Sequence, residues 1–341
     1  MTHNNPLYIR LSERFTVDPS LHAAAVALSW LGHEGILAVN GPDSARFLQG
    51  QVTCDVARLS VPESILGARC NPKGRMQSSF RLLRHGESDY LLAMAEELVA
   101  PQIADLAKYA AFFKTEISDA NGQWVRLGLS GPGATETLAR TGLGTPEATN
   151  SVSQSESGMV VRLVDSDIFE LWLPAGSAEA TIDALLQTAQ PAPLNYWQML
   201  QIRNGIGQVF GETREHFIPQ MLNLQVFDAV SFKKGCYTGQ EIVARMKYLG
   251  KLKKRMFRLT SDERRLLPPG TAVVNRETGQ ALGEVVMTAL GHEQMEMLAV
   301  VQKDAAQLVS LSAIDDQGPA LTLADLPYEK EVADTEAGPA N

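Results

Sequence analysis

Two segments of the chain resemble each other at a spacing of 90 residues, and this repeat constrains the fold more than any other feature of the sequence. The first reads Leu37-Ala-Val-Asn-Gly-Pro-Asp-Ser-Ala-Arg-Phe-Leu48, and the second reads Leu127-Gly-Leu-Ser-Gly-Pro-Gly-Ala-Thr-Glu-Thr-Leu138. Each predicts a short apolar strand, a Gly-Pro turn and a helix that begins just after the proline. Coincidence is the alternative, because Gly-Pro before a helix is common. The repeat favours two related units.

The segments that follow each copy keep the same order of elements. Alternating stretches that predict strands follow at Ile65–Cys70, Met76–Leu83, Tyr90–Met94, Met159–Val164 and Phe169–Leu173. Each block closes with a helical pattern, at Pro101–Ala111 and at Ala178–Gln190. The sequence therefore predicts an α+β module over residues 20–250, with antiparallel sheets, helices on one face and a second unit starting near residue 120.

In the last third of the chain, the sequence predicts one helix followed by short strands separated by turns. Asn195 predicts the N-cap of a helix that ends at Gly205. Short strands then alternate with turns at Met256–Leu259, Thr271–Asn275, Gly283–Ala289 and Met297–Val301, which is typical of a small β-barrel and predicts one over residues 251–328. Residues 329–341 are small, acidic and polar, so this tail is predicted to be disordered.

Composition narrows the class of protein. The 341 residues, 45% of them hydrophobic and 20% charged, are those of an ordinary soluble protein. The three cysteines form no CxxC pair, which favours the reducing cytosol, and no HxH or HExxH pattern predicts a metal site. The sequence shows neither a signal-peptide pattern nor an apolar stretch of membrane-spanning length. We therefore expect a cytoplasmic protein with no membrane partner.

The segment Lys234-Gly-Cys-Tyr-Thr-Gly-Gln-Glu241 has the character of a reactive site. Positive charge beside Cys236 would favour its thiolate, and Gly235 and Gly239 would permit a sharp loop that a partner can approach closely. A buried, inert cysteine in a tight turn is the alternative interpretation, since free cysteine is often buried.

A basic run follows this segment. Seven arginines and lysines lie between Arg245 and Arg258, a stretch that contains no acid. Such a run could attract RNA phosphates or the glutamate tail of a folate. The alternative is that these residues form a solvated helix end and a linker between domains, which would have the same composition. No RNA-recognition motif accompanies it, so direct tRNA binding has no motif to support it.

Trp197 and the segment Cys70–Arg75 each allow both a ligand-binding and a purely structural interpretation. Trp197, on the helix that Asn195 begins, would suit stacking against a flat heterocycle, although large aromatics at helical spacing usually pack into a core. Cys70-Asn-Pro-Lys-Gly-Arg75 predicts a turn between two strands, where Lys73 could contact an anion or be solvated.

Taken together, these residues resemble the YgfZ family, folate-binding proteins related to the aminomethyltransferase of the glycine-cleavage system. Ser231-Phe-Lys-Lys-Gly-Cys-Tyr-Thr-Gly-Gln-Glu241 resembles the family signature, and Phe217-Ile-Pro-Gln-Met-Leu-Asn-Leu224 is similar to its FIPQ…NL segment. The stretch from Asn40 to Asp55 is similar to the family's N-terminal block, and Lys73-Gly74 to its KG turn.

The resemblance implies three domains in a ring that holds tetrahydrofolate or another reduced folate. It implies a role in assembling or repairing iron–sulfur clusters, including those of radical enzymes that thiolate tRNA, which would be the client partners. The functional thiol carries over to Cys236, and the residues around it are Lys234, Tyr237, Gly239, Gln240 and Glu241. A folate-contacting tryptophan falls on Trp197, and the family's N-terminal aromatic contact falls near Glu34. Lys73 and Arg203 complete the expected cofactor-binding set.

The chain departs from the enzyme branch at two places. Ser78 and Ser79 stand where the aminomethyltransferases carry a pair of aspartates, and a hydroxyl cannot replace a carboxylate as base. Arg203 stands where those enzymes hold the pterin with a glutamate, and arginine has donors only. The sequence therefore does not predict a classical enzyme.

The leading hypothesis is a folate-binding accessory protein for iron–sulfur enzymes that acts through Cys236. A folate-dependent aminomethyltransferase, which moves a one-carbon unit from an amine, is the alternative. An RNA-binding module that uses residues 245–258 is a third reading.

Overall fold

The computed structural model describes residues 5–17, 26–164, 166–248 and 252–332 of the chain. The α-helices of these residues are α1 Pro6–Arg14, α2 Ser44–Gln49, α3 Glu96–Ala110, α4 Ala134–Thr141, α5 Ala178–Leu185, α6 Leu194–Arg203, α7 Gln240–Tyr248 and α8 Lys303–Leu308. The strands are β1 Ala27–Trp30, β2 Glu34–Asn40, β3 Glu63–Cys70, β4 Met76–Arg84, β5 Asp89–Ala95, β6 Glu116–Asp119, β7 Trp124–Ser130, β8 Val152–Ser155, β9 Gly158–Arg162, β10 Ile168–Pro174, β11 Gln190–Ala192, β12 Lys254–Ser261, β13 Ala272–Asn275, β14 Ala281–Leu290, β15 Met295–Gln302, β16 Leu311–Ala313 and β17 Ala320–Ala324.

The two sequence repeats lie in two sheets that share one order of four strands, although one sheet has five strands and the other has six. The first copy builds a sheet in the order β3-β4-β5-β2-β6, and the second builds one in the order β11-β1-β7-β10-β9-β8. In each sheet the strand of the repeat lies beside the third strand that follows it, so β2 pairs with β5 and β7 pairs with β10. Gly41 and Gly131 occupy equivalent turns with φ of 128° and 108°. The predicted correspondence of elements is confirmed.

The predicted α+β class and the C-terminal barrel are also confirmed. Strands β12 to β17 close into a six-stranded barrel in the order β12-β15-β14-β13-β16-β17. Two details differ from the sequence prediction. The pair β1 and β11 is parallel within an otherwise antiparallel sheet, and Asn195 lies inside α6, which begins at Leu194.

The six-stranded sheet buries both of its faces. One face carries the apolar residues of β7 and β10, such as Leu127 and Leu171, and packs against Leu138 of α4 and Ile182 of α5. This alternation of apolar and polar positions follows from the two-residue period of a strand. The other face carries Ser29, Arg126, Glu170 and Trp172, all of which are also buried.

Contacts divide the chain into two compact units. Unit 1 comprises residues 1–47, 57–65 and 81–197, and unit 2 comprises residues 48–56, 66–80 and 198–341. The predicted boundary at residue 250 does not coincide with this division, because residues 198–250 fall in the same unit as the barrel.

The predicted disordered tail does not begin at Glu329. Residues 329–332 are helical, Val332 is buried, and Glu329 forms an ion pair of 3.0 Å with Arg255. The remainder of that prediction, residues 333–341, lies outside the described residues. No helix of the described ranges is long and apolar enough to cross a bilayer.

Candidate functional site

The cysteine loop is anchored in unit 2 by the ammonium group of Lys234. Its Nζ donates hydrogen bonds to three carbonyl oxygens, those of Gln49 at 2.8 Å, Val52 at 2.5 Å and Cys54 at 2.8 Å. Lys234 is buried, and this burial lowers its pKa to about 8. An ammonium has three donors, and all of them are used here. Lys234 therefore holds the loop to residues 49–54 and has no N–H left to donate to Cys236.

The glycine at position 239 lets the loop pack against the predicted Lys73-Gly74 turn. Gly239 has a φ of +83°, and a Cβ on it would lie 2.5 Å from the carbonyl oxygen of Asn71. On the same turn, a Cβ on Gly74 would lie 3.0 Å from Ile242 of α7. Gly235 was also expected to be needed for a sharp, closely approached loop, but nothing lies within 4 Å of the position that its Cβ would take. The structure thus brings two predicted motifs together through Gly239.

The three cysteines differ sharply in access. Cys236 is exposed, whereas Cys54 and Cys70 are buried. Burial raises the pKa of both buried thiols to about 12, so neither forms an appreciable thiolate at neutral pH. Within the described ranges, no group of three or more His, Cys, Asp or Glu side chains could hold a metal ion. Cys236 is therefore the thiol that a partner molecule can reach.

The remaining motif residues shape the loop. Tyr237 is buried with its ring centroid 4.8 Å from Lys234 Nζ, and burial raises the pKa of its phenol. The side chain of Gln240 accepts a hydrogen bond from the Tyr237 amide at 3.3 Å, at the start of α7. Glu241 is exposed in the first helical turn, where a carboxylate is favourable to the helix dipole. These residues support the position of Cys236.

Ser78 and Ser79, which the resemblance aligned with an aspartate pair, are buried in unit 2. Ser79 accepts a hydrogen bond of 2.8 Å from the amide of Val209. The Oγ of Ser78 is buried without a hydrogen-bond partner in the part of the chain that the structure describes. Both hydroxyl groups are neutral, so neither can take the role of a carboxylate here.

A charged cluster that sequence analysis did not predict lies in unit 1, on the polar face of the six-stranded sheet. Arg126 of β7 forms ion pairs with Glu170 of β10 and with Glu34 of β2. Arg81 of β4 approaches the same Glu170 carboxylate, with Nε 3.2 Å from Oε2. Burial alone would raise the pKa of Glu170, but the Arg126 and Arg81 guanidiniums hold it below its usual range. The predicted contact Glu34 is thus part of a buried ionic network.

Trp197, the other predicted cofactor residue of unit 1, lies on this same face. Its indole covers Gly128 so closely that a Cβ there would be 2.1 Å from Cε3. Gly128 lies directly opposite Glu170 in the sheet. Trp197 is only 2% exposed, so its side chain is packed in the core, which is the alternative that the sequence left open. The structure brings Trp197 and Glu34 to one charged cluster.

Arg203 and three residues of the basic run have structural partners. Arg203 forms an ion pair of 2.6 Å with the buried carboxylate of Glu296, which Arg258 also contacts at 2.6 Å. Arg255 pairs with Glu329, and Lys247 Nζ lies 3.9 Å from the ring centroid of Phe232. Of the other lysines in the run, Lys251 lies outside the described residues. The guanidinium of Arg203 therefore pairs with a carboxylate of barrel strand β15.

Lys73 is exposed at the tip of the turn between β3 and β4. Its amide donates a hydrogen bond of 2.9 Å to the side chain of Asn71, which also accepts one from the Arg75 amide at 3.0 Å. This Asx-type turn fixes the backbone and leaves the Lys73 ammonium at the surface.

Sequence reasoning missed Arg126, Glu170 and Trp172 as a group. The signal was present in the alternation Val125-Arg-Leu-Gly-Leu129 and Phe169-Glu-Leu-Trp-Leu173, which places these residues on one side of their strands. Alternation alone does not say whether a polar face is solvated or buried, so it could not reveal that they form a buried cluster.

Comparison with known proteins defines the class to which this architecture belongs. The family model described as the GCVT N-terminal domain matches residues 22–234. In the solved structure of the glycine cleavage system aminomethyltransferase T from Bartonella henselae, 88% of that chain superposes on 91% of this one, with a TM-score of 0.74 and 21% identity. The chain has the aminomethyltransferase fold.

Similar sequences narrow the class further. The tRNA-modifying protein YgfZ of Photobacterium profundum is 34% identical over 89% of this chain and 92% of its own length. The tRNA-modifying protein YgfZ of Pectobacterium carotovorum subsp. carotovorum is 33% identical over 92% of this chain and 96% of its own. The chain belongs to the YgfZ family within the GCVT class, as its motifs predicted.

Proposed function

We propose that this protein is a folate-binding accessory protein that helps assemble or repair iron–sulfur clusters in client enzymes, including enzymes that thiolate tRNA. Family membership supports the link to tRNA modification, which the relatives' names state for those proteins. The observation that carries the proposal is the exposed Cys236 on a loop fixed by Lys234 and Gly239. Cys54 and Cys70 are buried and form no disulfide with each other, which suits the reducing cytosol that we propose as the compartment of this protein.

Cys236 would act through its thiolate on a cluster, a persulfide or a thiol of the client enzyme. Such chemistry needs a thiol that a large partner can approach, and exposure meets that need. In this proposal the iron–sulfur cluster is cargo that belongs to the client enzyme.

Tetrahydrofolate is the cofactor that we propose for unit 1. The support for this cofactor is the family resemblance, which assigns a folate contact to Trp197 of this unit. When bound, a reduced folate supplies a carrier for one-carbon units. Aminomethyl transfer is the less favoured function, because Ser78 and Ser79 bring no carboxylate to the place where the aminomethyltransferases have one.

The proposal is tested by replacing Cys236 with Ala in cells and measuring a tRNA thiolation that depends on an iron–sulfur enzyme. Loss of the thiolated nucleoside is expected in Cys236→Ala, with the purified variant retaining the wild-type melting temperature. Lys233→Ala, which alters an exposed neighbour, is the matched control and should retain thiolation. Full thiolation in Cys236→Ala would remove this thiol from the mechanism.

Folate binding is tested separately on purified protein. Titration with tetrahydrofolate should quench tryptophan fluorescence, and Trp197→Phe should lose most of that signal. A saturable signal that persists unchanged in Trp197→Phe would place the ligand elsewhere.

A further inference from the structure

Two aromatic side chains are exposed next to each other at the end of α3. Phe112 is 82% exposed and Tyr109 is 44% exposed. The amide of Phe112 donates a hydrogen bond of 3.3 Å to the carbonyl oxygen of Tyr109, which closes a tight turn at the end of the helix. Side chains three residues apart in such a turn lie one above the other, about 6 Å apart along the axis. Tyr109 and Phe112 thus form one aromatic patch on the surface of unit 1.

This exposure is exceptional within the chain. Every other phenylalanine, tyrosine and tryptophan whose burial the structure describes is buried or half-buried. Helix α3 already buries Leu98, Val99 and Leu106, and the aromatic patch lies beyond this buried stretch. A single exposed apolar residue is ordinary, but adjacent exposed rings mark a surface that meets another molecule.

The backbone that carries the aromatic patch is fixed against the Gly-Pro turn of the first repeat. The amide of Lys114 donates to the carboxylate of Asp43 at 2.9 Å, and the Asp43 amide donates to the carbonyl oxygen of Lys114 at 3.2 Å. A Cβ on Gly41 would lie 2.6 Å from that same oxygen. The ring of Phe113 packs at 5.4 Å, centroid to centroid, on that of the buried Phe47. A surface held in this way loses little conformational freedom when it binds.

Positive charge flanks the aromatic patch. Lys108, Lys114 and Arg46 are exposed, and the guanidinium carbon of Arg46 lies 4.9 Å from the ring centroid of Phe113. Lys108 Nζ lies 3.2 Å from Oδ1 of Asp105, but an exposed pair of this kind is weak, so a phosphate can displace it. Cations and exposed rings therefore occur together at this end of α3.

Negative charge in the same segment does not cancel this arrangement. The carboxylate of Asp43 already accepts the amide of Lys114, and Glu116 is the exposed acid of the strand that follows. A carboxylate that accepts a backbone amide is held in place, whereas the lysine and arginine side chains can move toward an anion.

The combination of rings and cations fits single-stranded RNA better than it fits a protein. Unpaired bases stack on aromatic side chains while lysine and arginine neutralise the adjacent phosphates. The centres of protein interfaces are also rich in aromatic residues, but they are depleted in lysine. A paired RNA helix keeps the faces of its bases within its own stack, so it offers little to an exposed ring.

We propose that the aromatic patch binds an unpaired segment of RNA, with Lys108, Lys114 and Arg46 at its phosphates. The identity of this RNA as a tRNA that undergoes thiolation rests on the proposed function. Contact with RNA is thereby assigned to unit 1 rather than to the basic run at residues 245–258, two of whose arginines form ion pairs with carboxylates of unit 2.

The test is a titration of a fluorescently labelled, short single-stranded RNA with the full-length protein, followed by anisotropy at several salt concentrations. At physiological salt the wild type should bind the single strand more tightly than a duplex of the same sequence. Three cations at phosphates predict that the logarithm of the affinity falls against that of the salt concentration with a slope of about −2.

Aromatic and basic variants should change different quantities. Phe112→Ala should weaken binding by about five- to a hundredfold at every salt concentration and leave the slope unchanged, because stacking releases no counterions. Lys114→Gln should instead reduce the slope by about 0.7. Phe112→Leu keeps an apolar side chain and removes the ring, so it should weaken binding as the alanine variant does.

Leu308→Ala is the matched control for the aromatic variants. Leu308 is 81% exposed, nearly the same as Phe112, and it lies on α8 in unit 2. This variant should bind the RNA as the wild type does. Substitutions at such exposed positions change stability little, so urea unfolding of all these variants should match the wild type.

Several results would overturn the assignment. Equal affinities of Phe112→Ala and the wild type would do so, as would loss of binding in Lys253→Gln, an exposed lysine of the basic run, with Phe112→Ala unaffected. A wild-type protein that binds no RNA would also overturn it, and a dimer in sedimentation that Phe112→Ala abolishes would then show that a second copy covers the aromatic patch. Thiolation in cells that carry Cys236→Ala is a separate measurement, so failure of either test leaves the other claim standing.

Discussion

Substitution of Gly239 by alanine probes the contact between the cysteine loop and the turn at Asn71. The φ of +83° lies in the left-handed region, where a residue with a Cβ is less stable by about 1–2 kcal/mol. The new Cβ would also lie 2.5 Å from a backbone carbonyl oxygen and 3.1 Å from the Cβ of Cys70. Neither atom is the flexible end of a side chain, and overpacking of this kind costs about 1–3 kcal/mol. Gly239→Ala should therefore destabilise the protein by about 2–5 kcal/mol.

The same loop provides the control for this prediction. Gly235→Ala adds an identical methyl group where nothing lies within 4 Å, and its stability should stay within about 0.5 kcal/mol of the wild type. Urea unfolding followed by circular dichroism gives both values, and the rate at which Ellman's reagent modifies Cys236 reports the integrity of the loop. Equal unfolding midpoints for the two variants would refute the argument that Gly239 is held by its packing.

Three further outcomes are expected. Iodoacetamide at pH 8 should label the native protein once, at Cys236, because burial raises the pKa of Cys54 and Cys70 to about 12; mass spectrometry of Cys236→Ala should then show no label. Gly128→Ala should destabilise the protein by about 1–3 kcal/mol and change its intrinsic fluorescence, because the Cβ would lie 2.1 Å from an indole. Burial lowers the pKa of Lys234 to about 8, so the unfolded chain binds more protons between pH 8 and 10.5 and the folded state gains stability as the pH rises. Relative to Lys234→Met, the wild type should gain about 2–3 kcal/mol across that window, and parallel stability profiles would contradict the burial of a charged lysine.

The sequence was sufficient to predict the strands that alternate regularly and the order in which they recur. Met76–Leu83 was predicted as a strand and β4 spans Met76–Arg84, so the two differ by one residue at the end. The three-residue strands β11 and β16 were not predicted. Such short segments carry too few positions for a period, and their pairing depends on the strand that lies beside them.

The motif around Cys236 was found from sequence, but the contacts that fix it were not. The carbonyl oxygens that bind Lys234 come from residues 180 to 185 positions earlier in the chain, and no local pattern encodes that meeting. Lysine beside cysteine predicted an electrostatic role for Lys234, whereas the structure gives its ammonium an anchoring role. Only the backbone acceptors of a distant segment distinguish these two roles.

The arginine at position 203 shows why the departure from the aminomethyltransferases extends beyond one residue. Its guanidinium and that of Arg258 hold the pKa of the buried carboxylate of Glu296 below the usual range, against the effect of burial, which raises it. A glutamate at position 203 would set a second carboxylate beside Glu296 and remove one of its two cations. Restoring the glutamate that the resemblance associates with pterin binding would thus destabilise the barrel before it could bind a ligand. We infer that a glutamate could be accommodated at position 203 only if Glu296 changed with it, because Glu296 is buried and paired with Arg203 and Arg258.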